Sequence, residues 1–180
     1  YEFPLPAVVT IDEGIARPVL VGRPSVIESR IERLCLRLKP GVDFELCNIE
    51  NDPRFKDYWT TYHELMQRHG VTPDSAKQIV RSRATVIAAL MLRRGEADAM
   101  ICGLVGRYHK KLGYLRGIIP LDPGVEQMSA MSAVFNDRGV FFFLDTHVAS
   151  DPDAERIAAA TAQAKLRLKL FGITPKVAIL

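Results

Sequence analysis

Short apolar runs alternate along this chain with stretches in which apolar residues recur at helical spacing. The continuous runs Pro18–Val21, Phe44–Cys47 and Asp98–Cys102 are typical of strands that are covered on both faces. Helical spacing predicts a short helix over Ala7–Ile15, and a longer one over Pro24–Lys39 that a Pro-Gly pair stops. This order of helix, strand, helix and strand predicts an α/β fold with a parallel sheet.

Three later stretches also have the spacing of helices. Pro53–His69 carries four aromatic residues three or four positions apart, which favours core packing over the alternative of stacking on a ligand. Thr72, which precedes a proline and an aspartate, is a helix-start signature. Helical spacing then resumes over Ala84–Arg94. The last helix is predicted to begin at Asp151 and to end before Gly172.

Two apolar arms near the end of the chain predict a hairpin. Ser129–Phe135 and Val140–Leu144 flank the four turn residues Asn136-Asp-Arg-Gly139. A further apolar run, Lys176–Leu180, predicts a buried strand that no helix follows. We therefore expect the chain to be a piece of a larger domain.

Composition limits the class of protein. The 180 residues are 48% hydrophobic and 25% charged, which is the balance of a globular protein and excludes general disorder. The apolar runs are too short to span a membrane. Cys35, Cys47 and Cys102 are widely spaced, so we interpret them as small buried hydrophobic residues rather than as disulfide partners or zinc ligands. A cytoplasmic location is expected.

The net charge of +3 is too small to indicate nucleic-acid binding by itself, so any basic site must be local. Such a cluster follows Gly103 and Gly106, two glycines that let a backbone approach a ligand closely. A phosphate site and a solvated basic helix face both fit this pattern. The candidate ligand-binding residues are Arg107, Tyr108, His109, Lys110, Lys111 and Arg116.

Other candidate chemistry is weaker. Asp145-Thr146-His147 follows a predicted strand, where it could be an acid/base pair or could fix a loop. The sequence has no nucleophile elbow, no Walker A loop and no dinucleotide-binding glycine motif. Because His63 and His69 are six positions apart on a predicted helix, they face different sides, and no metal site is predicted.

Several motifs together resemble the phosphate acetyl/butyryl transferase (phosphotransacetylase) family, from about Asp12 onward. The motifs are Asp12-Glu-Gly-Ile-Ala-Arg-Pro-Val-Leu-Val-Gly-Arg-Pro24, Tyr62-His-Glu-Leu, Gly95-Glu-Ala-Asp-Ala-Met-Ile-Cys-Gly103, Phe143-Leu-Asp145 and Pro175-Lys-Val-Ala-Ile-Leu180. The resemblance implies a three-layer α/β/α fold with a mostly parallel, Rossmann-like sheet. It also implies that residues 1–180 form a partial phosphotransacetylase-like domain, about half of the family's.

Two stretches, Met100–Tyr108 and Asp145–Pro152, resemble more narrowly the C-terminal domain of large bacterial NADP-dependent malic enzymes. That resemblance implies a regulatory domain that binds acetyl-CoA and forms homo-oligomers. It places the oxidative decarboxylation of malate to pyruvate, with NADP and a divalent Mg or Mn ion, in a catalytic half outside this sequence. Neither nucleic acid nor a membrane is an expected partner.

One departure from the family pattern bears on catalysis. Met66 stands where the family has an arginine, while Arg116 is retained in a Leu-Arg-Gly run in place of Leu-Arg-Pro. Loss of that arginine removes a fixed charge that would stabilise the reacting group. The resemblance therefore implies ligand binding without acyl transfer and no catalytic residue in this chain. The alternative is an active phosphate acyltransferase, which moves an acetyl group between CoA and phosphate, with Arg116 at its site.

Overall fold

A computed structural model describes residues 5–103 and 106–179, which divide into two compact units, one ending at Pro120 and the other beginning at Leu121. The helices are α1 (Leu5–Asp12), α2 (Pro24–Arg33), α3 (Phe55–Met66), α4 (Pro73–Ser82), α5 (Ala84–Arg93), α6 (Tyr108–Ile118) and α7 (Ala154–Leu170), and a 3₁₀ turn covers Gln67–His69. The strands are β1 (Val19–Gly22), β2 (Glu45–Asn48), β3 (Met131–Asn136) and β4 (Gly139–Leu144). Within these described ranges, every helix is too short or too polar to cross a membrane.

The first unit contains the parallel strand pair that the sequence predicts. β1 and β2 pair in parallel, with Val19 opposite Glu45 and Gly22 opposite Asn48. Helix α2 makes the crossover between them, as a parallel connection requires. The α/β class predicted from the sequence is therefore confirmed.

Two apolar clusters hold the first unit together. The smaller cluster lies around β1, α2 and the start of β2, and it comprises Ala7, Leu20, Ile27, Ile31, Leu38 and Phe44. The larger one joins helices α3 to α6 to β2, and it comprises Cys47, Tyr58, Tyr62, Ala76, Val80, Val86, Ile87, Ala89, Leu90, Met91 and Ile118. Because two tyrosines of the aromatic helix are fully buried here, its role is core packing, as predicted.

Local signals account for most helix boundaries. The side chain of Thr72 accepts a hydrogen bond from the Ser75 amide at 3.2 Å, which confirms the predicted start of α4. Helix α2 ends earlier than predicted, because Cys35 adopts a left-handed backbone with φ of 50° that stops the helical turn. Leu38, which was expected on that helix, reaches the core from an irregular segment instead.

The second unit is an antiparallel hairpin with one helix. β3 and β4 pair from Met131 opposite Leu144 to Asn136 opposite Gly139, as the sequence predicts. The Asp153 side chain caps α7 by accepting from the Arg156 amide at 2.8 Å. The buried residues of α7 are Ala160, Ala164 and Leu168, whereas Phe171, directly after the helix, is exposed.

Two predicted strands are not formed. Residues 98–102 and 176–179 are irregular, and Leu180 lies outside the described residues. Ile101 is 90% exposed, so among the described residues this apolar run has neither the strand partner nor the covering layer that a buried strand requires. The expectation for the cysteines is also wrong in two cases, because Cys35 and Cys102 are exposed and only Cys47 is buried.

Candidate functional site

The carboxyl ends of β1 and β2 meet at one edge of the parallel pair. There the Arg23 guanidinium lies 3.1 Å from the Glu50 carboxylate, and Asn48 accepts a hydrogen bond from the Glu50 amide at 3.0 Å. Arg23 and Glu50 are both well exposed, so their ion pair contributes little stability. Since its charge is matched, Arg23 is a poorer candidate for a phosphate than the cations described below.

A charged network is centred on Arg54, just before α3. The guanidinium donates two hydrogen bonds of 2.9 Å to the two carboxylate oxygens of Asp52. It also contacts Glu45 at 3.1 Å and Glu96 at 3.3 Å, and the Tyr58 hydroxyl donates to Glu96 at 2.6 Å. The network thus ties β2 to the start of α3 and to the turn after α5.

The titration behaviour of this network favours a structural role. The hydrogen bond from Arg54 is the main cause that lowers the pKa of the Asp52 carboxyl. Burial opposes ionisation of Glu96, but hydrogen bonds from Tyr58 and Arg94 outweigh it and lower the pKa of that carboxyl. Burial raises the pKa of the neighbouring Cys47 thiol to about 12. Paired carboxylates and a protonated thiol supply neither a general base nor a nucleophile near neutral pH.

The basic cluster found in the sequence lies at the start of α6. Gly103 and Gly106 have φ of 128° and 96°, which side chains rarely adopt, and the two residues between them lie outside the described ranges. Arg107 is the N-cap residue, and its side chain gives the first turn no capping hydrogen bond. The Arg107 side chain therefore does not occupy the backbone N–H groups of the first turn, and basic side chains lie beside these groups.

We call residues 107–111 the basic segment. Arg107, His109 and Lys110 are exposed, and Lys111 is half-buried. No acidic residue occurs between Asp98 and Asp122. Across the part of the chain that the structure describes, the recorded ion pairs involve none of the arginines and lysines of this segment.

The remaining candidates extend this surface along α6. The Tyr108 ring packs edge-on against His109, with ring centroids 5.6 Å apart. Arg116 is exposed and lies seven positions after His109, hence on the same helix face and about 10 Å further along the axis. The structure therefore places the predicted ligand-binding residues on α6 and its N-cap, with Arg116 apart from the others.

Helix α6 is held at its C-terminal half. Ile118 is buried, and its carbonyl accepts a 2.8 Å hydrogen bond from the Arg93 guanidinium. Gly117 lies against Met66, and Leu112 is buried as well. The basic segment thus lies on the exposed half of a helix whose other half is packed into the core.

In the second unit, Asp145 has a φ of 50° at the end of β4. One of its carboxylate oxygens lies 3.4 Å from the Arg156 guanidinium, and the other is buried without a hydrogen-bond partner among the described residues. His147 is exposed. The observed ion pair ties the hairpin to α7, and the acid/base role of Asp145 and His147 stays a prediction.

Within the described ranges, no three His, Cys, Asp or Glu side chains are arranged to hold a metal ion. Sequence reasoning missed the Arg54 network and the contact between Met66 and Gly117. The contact of Met66 with Gly117 and the pairing of Arg54 with Glu96 depend on which distant segments pack together, whereas the pair of Arg54 with Asp52 is only two positions apart.

Comparison with known proteins extends these observations. The family described as Phosphate acetyl/butaryl transferase matches residues 6–180. The NADP-dependent malic enzyme of Escherichia coli (strain K12) is 48% identical over 93% of this chain and 22% of its own length. The NAD-dependent malic enzyme of Rhizobium meliloti (strain 1021) is also 48% identical, over 96% of this chain and 22% of its length.

Identity to phosphate acetyltransferases is lower. The enzyme of Synechocystis sp. is 30% identical over 94% of this chain and 24% of its length. That of Thermoanaerobacterium thermosaccharolyticum is 28% identical over 96% of this chain and 53% of its length. The chain therefore spans about a fifth of the malic enzymes it matches and about half of the shorter acetyltransferase. It belongs to the phosphate acetyl/butaryl transferase family.

Proposed function

We propose that this chain is the acetyl-CoA-binding regulatory domain of a multidomain NADP-dependent malic enzyme. The identity of 48% to malic enzymes, against 27% to 30% for phosphate acetyltransferases, supports this assignment. The whole protein would oxidatively decarboxylate malate to pyruvate. NADP and Mg²⁺ or Mn²⁺ would be bound outside this chain. The NAD-dependent relative makes the choice of nicotinamide cofactor a property to be measured.

The observation that carries acetyl-CoA binding is the exposed basic segment at the start of α6. CoA is a polyanion with a pyrophosphate and a ribose phosphate. Arg107 and Lys110 offer cations at a helix N-terminus, in a stretch without acidic residues. Helix amides and Arg or Lys side chains are the usual ligands of phosphate groups.

Met66 supports regulation over acyl transfer. A thioether at the end of α3 provides no charge and no bidentate donor for a reacting acyl phosphate. Acetyl-CoA would then act by binding one state of a homo-oligomer more tightly than another, which couples this domain to a distant active site. The second candidate, an active phosphate acetyltransferase, is favoured only by the family itself and by Arg116.

Calorimetric titration of the full-length protein with acetyl-CoA tests the proposal, with acetyl-pantetheine, which lacks the CoA phosphates, as the control ligand. We expect saturable binding of acetyl-CoA, much weaker binding of the control, and inhibition of malate oxidation at the same concentrations. An assay for acetyl phosphate formation should show no turnover. Robust turnover would establish the acyltransferase instead, and absence of acetyl-CoA binding would overturn both candidates.

A further inference from the structure

Helix α6 contains two glycines whose surroundings differ. A Cβ atom at Gly113 would meet no other atom within 4 Å. At Gly117 the same atom would lie 3.0 Å from the sulfur of Met66 and 3.4 Å from its terminal methyl carbon. The first distance is tighter than nine in ten real Cβ contacts, so a methyl group at position 117 would need Met66 or α6 to give by a few tenths of an ångström, whereas one at position 113 would not.

This contact joins two elements with different roles. Met66 ends α3 and packs against the larger apolar cluster of the first unit. Gly117 follows Arg116 directly and precedes Ile118, the buried residue whose carbonyl is held by Arg93. The Met66 side chain therefore lies between α3 and the end of α6, and a methyl group at position 117 fits only if one of them shifts.

We propose that Met66 and Gly117 form a positioning contact, which sets how closely α6 approaches α3 and thereby where Arg116 and the basic segment are presented to the CoA phosphates. The inference rests on the proposed function for its ligand. A methyl group at position 117 would need a few tenths of an ångström from the Met66 side chain or from the end of α6. Because Met66 packs against the larger apolar cluster, part of that displacement falls on α6. Since a helix moves as a rigid element, the cations along α6 would move with it.

The test compares two identical substitutions on one helix of the full-length protein. Gly117→Ala creates the contact with Met66, and Gly113→Ala gains the same helix propensity without meeting any atom. We expect Gly113→Ala to bind CoA within about twofold of wild type. Gly117→Ala should bind about fivefold more weakly and show a smaller change of affinity between low and high salt. A purely structural role would leave that salt dependence unchanged.

A second substitution tests whether the loss of affinity in Gly117→Ala comes from the contact with Met66. In the double variant Met66→Ala/Gly117→Ala, removal of the thioether gives the new methyl group room, and affinity should return to within about twofold of wild type. Met66→Ala alone removes the contact without adding an atom. Its affinity for CoA therefore tests the contact even if the Gly117→Ala protein does not fold. It should weaken CoA binding about threefold.

Three results would overturn the inference. Equal affinity of the Gly117→Ala and Gly113→Ala proteins would show that the contact does not position the ligand site. A weakened Gly117→Ala protein that Met66→Ala does not rescue would place the effect elsewhere. If wild-type protein binds no CoA, the proposed function fails first and this inference fails with it, whereas the first two results leave the proposed function standing.

Discussion

Arg54 shares one guanidinium among carboxylates from separate parts of the first unit. Its pairing with Asp52 is bidentate, and the Asp52 side chain is only 7% exposed. The net stability gained from such a pair is small, because the Asp52 carboxylate and much of the Arg54 guanidinium lose their contact with water. Replacing Arg54 alone is nevertheless costly, because the Asp52 carboxylate then stays buried without a cation beside it.

Arg54→Ala should therefore lower the free energy of unfolding by about 2–3 kcal/mol at pH 7, below the figure for a fully buried pair because Arg54 is partly exposed. Urea unfolding followed by circular dichroism measures the difference. The matched control is Arg23→Ala, which breaks the ion pair with the well-exposed Glu50 and should cost less than about 0.5 kcal/mol. Equal losses in the two variants would contradict a buried network.

The same network predicts a pH dependence. Both Asp52 and Glu96 have a pKa lowered in the folded state, so their contribution is present above their ordinary values near about 4 and is lost as pH falls through the lowered values. Wild type should lose stability steeply below about pH 4. Because Arg54→Ala removes the main cause of the Asp52 shift, the difference between the two proteins should shrink between pH 7 and pH 3. A constant difference would show that the shift does not depend on Arg54.

At the scale of elements, features that depend on neighbouring residues could be predicted from the sequence, and features that depend on distant residues could not. The caps at Thr72 and Asp153 depend on residues three positions away. Helix α4 starts where the sequence predicts, whereas α7 starts at Ala154 rather than at the predicted Asp151. The run around Ile101 fails as a strand because strand formation depends on a partner and a covering layer. The basic segment was found because its residues are consecutive, while the approach of Gly117 to Met66 depends on how two helices pack.

Thr72→Ala tests how much local capping contributes. Loss of the hydrogen bond to the Ser75 amide should destabilise the protein by about 1 kcal/mol. Thr60→Ala is the control within helix α3, where threonine donates to the Lys56 carbonyl and alanine has the higher helix propensity. Thermal unfolding should give a lower Tm for Thr72→Ala and an unchanged or slightly higher one for Thr60→Ala. The opposite order would contradict a capping role for Thr72.

Over the whole molecule, the charges nearly cancel in number but not in distribution. Some acidic side chains of the first unit form ion pairs, such as that of Glu96 with Arg54 and Arg94. Between Asp98 and Asp122, by contrast, the charged residues are all basic. A polyanionic ligand would therefore be attracted to α6 rather than to the surface as a whole. If the local cluster attracts the ligand, two variants of equal net charge should differ in their affinity for acetyl-CoA. If the total charge attracts it, their affinities should be equal.

Neutralising Arg107 and Lys110 together, as Arg107→Gln/Lys110→Gln, removes two charges from the formal net charge of +3. Acetyl-CoA binding should weaken at least about tenfold and become less sensitive to salt, because the proposed function places these two charges beside the CoA phosphates. Lys165→Gln/Lys169→Gln removes the same charge from exposed positions on α7 and should change affinity less than about twofold. Calorimetry at low and high salt distinguishes the two variants. If both lose affinity equally, net charge and not the basic segment attracts the ligand, and the placement of acetyl-CoA on α6 is wrong.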